Sequence, residues 1–120
     1  MNKPILPRFV ITLVSISCVF FLAGSLFAQD EKSGLYLQAR SYRQAGLECQ
    51  RVGNLAEAMA LYQKAVAVDP SYAEAYNDLG VIYEAVNAPD KAEQCYLKSI
   101  KVDPAYTSAY TNLALLYENK

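Results

Sequence analysis

The chain has 120 residues, of which 53% are hydrophobic and 19% charged, with a formal net charge of −1. It contains no His, which excludes a Ser-His or Cys-His nucleophile pair and any His-ligated metal site. The length admits one small domain, and the aromatics divide it: all four Phe lie in the first 27 residues, and all ten Tyr lie at or beyond Tyr36.

Residues 1–28 read as an export segment. Lys3 and Arg8 are the only early charges, and Phe9–Ala28 holds 20 residues without a charge, followed by Gln29, Asp30, Glu31 and Lys32. A short basic region, an apolar run and small residues near its end mark a secretory signal. The run is also just long enough for a spanning helix, which needs about 20 apolar residues. Polar Thr12, Ser15 and Ser17 and the Gly24-Ser25 pair shorten its apolar part. We read a cleaved signal ahead of a retained anchor, with the cut at Ala28/Gln29 and a cut after Ser25 left open. Either way Lys3 and Arg8 stay on the cytoplasmic side. The rest is expected to be exported, periplasmic or extracellular, or tethered to the inner membrane. Membrane contact is expected only through residues 9–28, if uncleaved. Cys18 reads as one more apolar residue of the run and not as a lipid-attachment site. Losing Lys3 and Arg8 leaves nine basic residues against twelve acidic ones, a net −3. That balance gives no basic patch for nucleic acid.

After a lead-in over 29–38, the chain repeats itself with a period of 34. Asp69-Pro70 recurs as Asp103-Pro104, Tyr42 as Tyr76 and Tyr110, Tyr62 as Tyr96, and Tyr83-Glu84 as Tyr117-Glu118. Ala39–Tyr72 and Ala73–Tyr106 share 11 identities over 34 positions without gaps. Units 39–72 and 73–106 are followed by a partial unit, 107–120. Apolar residues recur at i, i+3, i+4 and i+7, as in Tyr76, Leu79, Gly80 and Tyr83, which is helical and not strand spacing. The signals predict helices over 35–52, 55–68, 72–86, 89–102 and 106–119. Asn54-x-x-Glu57 and Ser71-x-x-Glu74 have the capping-box pattern. Gly53, and Asn87 in the equivalent place, suit the left-handed residue that ends a helix. Pro89 fits a first turn, while Pro70 and Pro104 stop the second helix of each unit.

The sequence resembles the tetratricopeptide repeat (TPR) family. The middle unit supplies Tyr76, Leu79-Gly80, Tyr83, Ala92, Tyr96, Ser99 and Asp103-Pro104, and the first supplies Tyr42, Ala45-Gly46, Cys49, Ala58, Tyr62, Ala65 and Asp69-Pro70. The match covers 39–120. Tyr42, Tyr76 and Tyr110 stand where Trp is frequent, and Cys49 replaces the Tyr of the other units. The resemblance implies an all-α TPR-type solenoid of about two and a half repeats, with antiparallel helix pairs stacked around a concave face. Gly46, Gly80, Ala58 and Ala92 fit close helix approach, with Tyr filling the space between pairs. The third unit is read as a cap helix, a cut array or an unfilled end that wants a partner. Its Leu113, Leu115, Leu116 and Tyr117 look too apolar for a cap, so self-association through this helix is a further expectation.

No enzyme is expected, because the inventory reduces to scattered carboxylates, Lys and Cys. Asp69 and Asp103 read as helix-end residues, and Glu84 and Glu118 as a solvated face. Cys49 and Cys95 read as packing thiols. No cofactor or metal is implied: the chain has no glycine-rich phosphate loop or metal cluster. The resemblance points instead to a peptide-binding concave face made of Arg40, Arg43, Gln44, Leu47, Asn77, Asp78, Val81, Thr111 and Asn112. Arg51, Glu74, Glu84, Ser108 and Leu115 extend it. A cluster of Arg40, Arg43 and Arg51 would suit a carboxylate or an acidic segment. TPR proteins that hold heat-shock chaperone tails use a Lys/Asn/Asn/Lys/Arg clamp. Here those positions are Arg43, Leu47, Asp78, Ser108 and Asn112, four of which lose the needed side chain. The function expected is a non-catalytic scaffold for a protein or peptide. The alternative is the N-terminal part of a longer enzyme or envelope assembly factor.

Overall fold

The computed structural model describes the backbone of residues 8–119 and the side chains of residues 19–119. Five helices follow one another: α1 (Arg8–Arg51), α2 (Leu55–Val68), α3 (Ala73–Ala85), α4 (Pro89–Val102) and α5 (Thr107–Glu118). Among the described residues there is no strand. The chain divides into two units, Met1–Gly34 and Leu35–Lys120.

In the first unit, the described side chains lie on α1 and are almost all exposed. Phe20, Phe21 and Phe27 are each at least 75% exposed. Among the described residues no helix is long and apolar enough to cross a membrane. Cys18 and the first half of the apolar run fall outside the described side chains. Residues 29–38, expected as a lead-in, are helical. No Pro lies between Pro7 and Pro70, so nothing within the stretch breaks the backbone ladder.

In the second unit, α2 and α4 match the expected spans, and α3 and α5 are one residue shorter at each end. Their ends are set by local chemistry. Gly53 has φ +80° and Asn87 has φ +60°. Around each, the backbone closes a Schellman turn. Asn54 N–H donates to Cys49 C=O at 2.9 Å and Gly53 N–H to Gln50 C=O at 3.0 Å. Ala88 N–H likewise reaches Tyr83 C=O at 2.8 Å, and Asn87 N–H reaches Glu84 C=O at 2.9 Å. These bonds satisfy carbonyls that a helix end leaves open. Asn54 caps α2, its Oδ1 accepting from Glu57 N–H at 3.3 Å. Pro89 opens α4.

The expected Ser71 cap is corrected. Tyr72 is the N-cap of α3 and makes no side-chain cap bond. Ser71 is held one turn earlier: its N–H and hydroxyl both donate to Asp69 Oδ1, at 3.0 and 2.6 Å. The cause is Pro70, which forces Asp69 into extended backbone (φ −126°, ψ 93°) and leaves its carboxylate over the next N–H groups. Asp103 repeats this before Pro104, accepting from Ala105 N–H at 3.0 Å. Both aspartates are helix-end residues, as expected.

The core is built on the period. Ala58, Tyr62, Ala92 and Tyr96 are fully buried. Each Tyr ring lies against the Gly of the preceding helix. A Cβ on Gly46 would stand 2.7 Å from Tyr62 Cε1, and one on Gly80 2.5 Å from Tyr96 Cε1. Those contacts are closer than any side chain permits, so only Gly lets the helices meet here. The hydroxyls are satisfied in the same way twice. Tyr62 OH donates to Gln50 Oε1 at 2.8 Å, and 34 residues later Tyr96 OH donates to Glu84 Oε2. Lys64 and Lys98 lie over the Tyr42 and Tyr76 rings, each at 5.9 Å. Ser99, where the first unit has Ala65, is buried and donates to Ala73 C=O at 2.8 Å, so its hydroxyl is satisfied. Leu116 is buried and Leu113 half-buried against Ala92 and Tyr96. The apolar face expected on α5 therefore shrinks to Leu115 and Tyr117, each about half exposed.

Candidate functional site

The first helix of each pair contributes to one polar seam. On α1, Arg43 Nε donates to Asp78 Oδ2 of α3 at 2.6 Å. On α5, Asn112 Nδ2 donates to Asn77 Oδ1 of α3 at 2.8 Å. Both links join residues 35 apart, one repeat plus one residue, so the helical register sets them. Asn77 Nδ2 in turn reaches Asp78 Oδ1 at 3.5 Å. Arg43, Asp78, Asn77 and Asn112 thus form one connected chain of side chains across three helices.

Burial gives the seam its electrostatics. Asp78 is held above the usual carboxylate range by burial, against the pull of Arg43 and Asn77. Burial lowers the Arg43 pKa, but Asp78 and Tyr72 outweigh it, and the guanidinium stays charged. Tyr72 is buried and raised by that burial, with Arg43 Cζ 6.0 Å from its ring centroid. Tyr36 packs edge-on against the same ring, centroids 5.3 Å apart.

The expected contact residues therefore separate into two groups. Arg40, Gln44 and Thr111 are exposed, as are the flanking Ser108 and Leu115. Asn77 is not exposed but 5% accessible, a correction: its amide is used up in tying α3 to α5. Arg43, Asp78 and Asn112 are part-buried and bound to neighbours. Leu47 packs against Tyr62, Leu79 and Ile82, and Val81 against Ala92, Tyr96 and Leu116, so each is in part a core residue.

The arginine cluster is also corrected. Arg43 is paired with Asp78, and Arg51 Nε lies 3.0 Å from Glu48 Oε2 of its own helix. A helical i, i+3 partner and a cross-helix partner neutralise two of the three charges. Glu84 is not merely a solvated carboxylate, because it accepts the Tyr96 hydroxyl. Periodicity could have found it: Gln50 and Glu84 are both acceptors at the same offset from a Tyr. Cys49 and Cys95 are free, half-buried thiols on one core cluster. Burial pushes Cys95 up to about 11. Among the described residues no group of three or more Cys, Asp or Glu is arranged to hold a metal ion.

Two family models match the chain, "TPR repeat" over residues 47–87 and "Tetratricopeptide repeat" over residues 73–106. No curated protein matches it. Among solved structures, MamA is 32% identical, with a TM-score of 0.65, over 68% of this chain and 48% of MamA. The chain thus spans about half of that protein. The second TPR of Spaghetti (RPAP3), bound to the HSP90 peptide SRMEEVD, is 19% identical with a TM-score of 0.68, over 75% of this chain and 82% of that one. The Sgt2 TPR domain from Aspergillus fumigatus is 22% identical with a TM-score of 0.62, over 65% of this chain and 52% of that one. The last two show the shared fold.

Proposed function

We propose that this chain, whose residues 47–106 are tetratricopeptide repeats, is a non-catalytic scaffold that holds a peptide segment of another protein on the face shared by α1, α3 and α5. The observation that carries this reading is the row of exposed Arg40, Gln44, Thr111 and Leu115 flanking a cross-linked seam. The seam fixes the spacing of the three helices, so the exposed side chains are presented on a rigid support, and rigid support lowers the ordering cost of binding. The complex of Spaghetti with SRMEEVD supports a peptide as the class of ligand. The lack of His in the sequence removes the commonest general acid–base and supports a role without catalysis.

The scaffold acts outside the inner membrane, delivered there by residues 1–28. In support, α1 leaves Phe20, Phe21 and Phe27 uncovered, surface that a soluble unit would bury. Photo-cross-linking of the full chain, in cells that make it, tests the ligand face. A benzophenone side chain at Gln44 or Thr111 should capture a discrete partner, and one at exposed Lys101 on α4 should not. Equal capture from all three positions, or none from any, overturns the assignment. Alkaline phosphatase fused after the last residue should be active if the repeats are exported. An inactive, stably produced fusion overturns that part.

A further inference from the structure

The surroundings of Arg43 bear on what the face selects. Its Nε edge already holds a carboxylate, Asp78 Oδ2 at 2.6 Å. Only 26% of the Arg43 side chain and 13% of the Asp78 side chain are exposed. Tyr72 packs beneath the guanidinium, and Asn77 steadies the other Asp78 oxygen. Half-buried Glu74 lies one turn before Asp78 on α3, and exposed Arg40 one turn before Arg43 on α1. The two helices thus carry two arginines and two carboxylates at these positions, neutral in formal sum, with Arg43–Asp78 the pair in contact.

An arginine edge is the natural seat for a ligand carboxylate. An incoming carboxylate that takes this edge must displace one that is tethered to the fold, and a tethered partner competes at high effective concentration. It must also approach the half-buried Glu74 carboxylate. We propose that Asp78 is a specificity-determining residue: it occupies the anion seat of Arg43 and turns the α1/α3/α5 face away from acidic segments and toward neutral ones. This inference rests on that face being the ligand site.

The test is fluorescence anisotropy of the full chain with labelled pentaglutamate and, in parallel, labelled pentaglutamine. Asp78→Asn keeps the shape and removes the charge. It should bind pentaglutamate at least about tenfold more tightly than the wild type, the gain of one freed arginine contact. Pentaglutamine should change by less than about threefold. Adding Arg43→Gln to Asp78→Asn should abolish the gain. Glu118→Gln, the same charge change at the exposed end of α5, should produce none. Asp78→Ser serves as a second variant if Asp78→Asn loses its helical circular dichroism. Equal pentaglutamate affinity in wild type and variant, including no binding by either, overturns the proposal. So does a gain that survives Arg43→Gln or appears in Glu118→Gln. The probes are synthetic, so failure to find a natural partner leaves this comparison standing, and failure of the comparison leaves the scaffold reading standing.

Discussion

Replacing Gly80 with Ala tests the packing rule of the repeat. In a free helix this substitution is stabilising, by about 0.5–1 kcal/mol, because Gly loses more backbone freedom than Ala. Here the new Cβ would stand 2.5 Å from Cε1 and 2.8 Å from Cδ1 of Tyr96. The ring cannot swing aside cheaply, because Tyr96 is fully buried and its hydroxyl is tied to Glu84. Overpacking of this kind costs about 1–3 kcal/mol. Subtracting the gain from the cost leaves a net loss centred on about 1 kcal/mol, within a range of about 0–2.5 kcal/mol. For a unit of this size, 1 kcal/mol is a fall in Tm of about 4–8 °C. Thermal unfolding followed by far-ultraviolet circular dichroism measures it. Gly34→Ala is the control, since no heavy atom lies within 4 Å of that Cβ position, and it should leave Tm unchanged or raise it. Gly80→Ala combined with Tyr96→Leu should lose less than the two single variants summed, because the smaller side chain relieves the clash. A Gly80→Ala chain as stable as the wild type would refute the argument that ring against backbone sets the helix spacing.

Two further predictions concern the ends of helices and alkaline pH. Asn54→Ala removes the one side-chain cap bond of α2 and should cost about 1 kcal/mol. Ser71→Ala, despite the same sequence pattern, should stay within about 0.5 kcal/mol, and equal losses in urea denaturation would contradict the cap assignment. The Cys95 thiol is pushed up by burial to about 11 from 9.0, so the folded chain holds its proton where the unfolded chain has released it. Its stabilising contribution is complete below the ordinary thiol value and is lost as pH rises through about 11. Unfolding free energy should therefore decline between these values, and decline less steeply in Cys95→Ala. Parallel pH profiles for the two chains would contradict burial as the cause.

The sequence by itself determined whatever depends on short-range chemistry and on the 34-residue period. Gly53, Asn87, Pro70 and Pro104 mark helix ends through φ preferences that belong to single residues, so they needed no partner to be read. The Tyr62/Tyr96 and Gly46/Gly80 positions followed from repetition, because each unit solves the same packing problem with the same residues. Ser71 failed as a cap because two signals competed within four residues, and the Asp-Pro turn had the prior claim on its hydroxyl. The continuous helix through residues 29–38 was hidden by a change in composition that does not interrupt the backbone. The proposed ligand face was legible only as a set of positions. Which of them remain free was decided by register between α1, α3 and α5, a quantity no single helix carries. A one-residue offset beyond the repeat pairs Arg43 with Asp78 and Asn77 with Asn112. That offset turns side chains that look like ligand contacts into the braces that hold the face together.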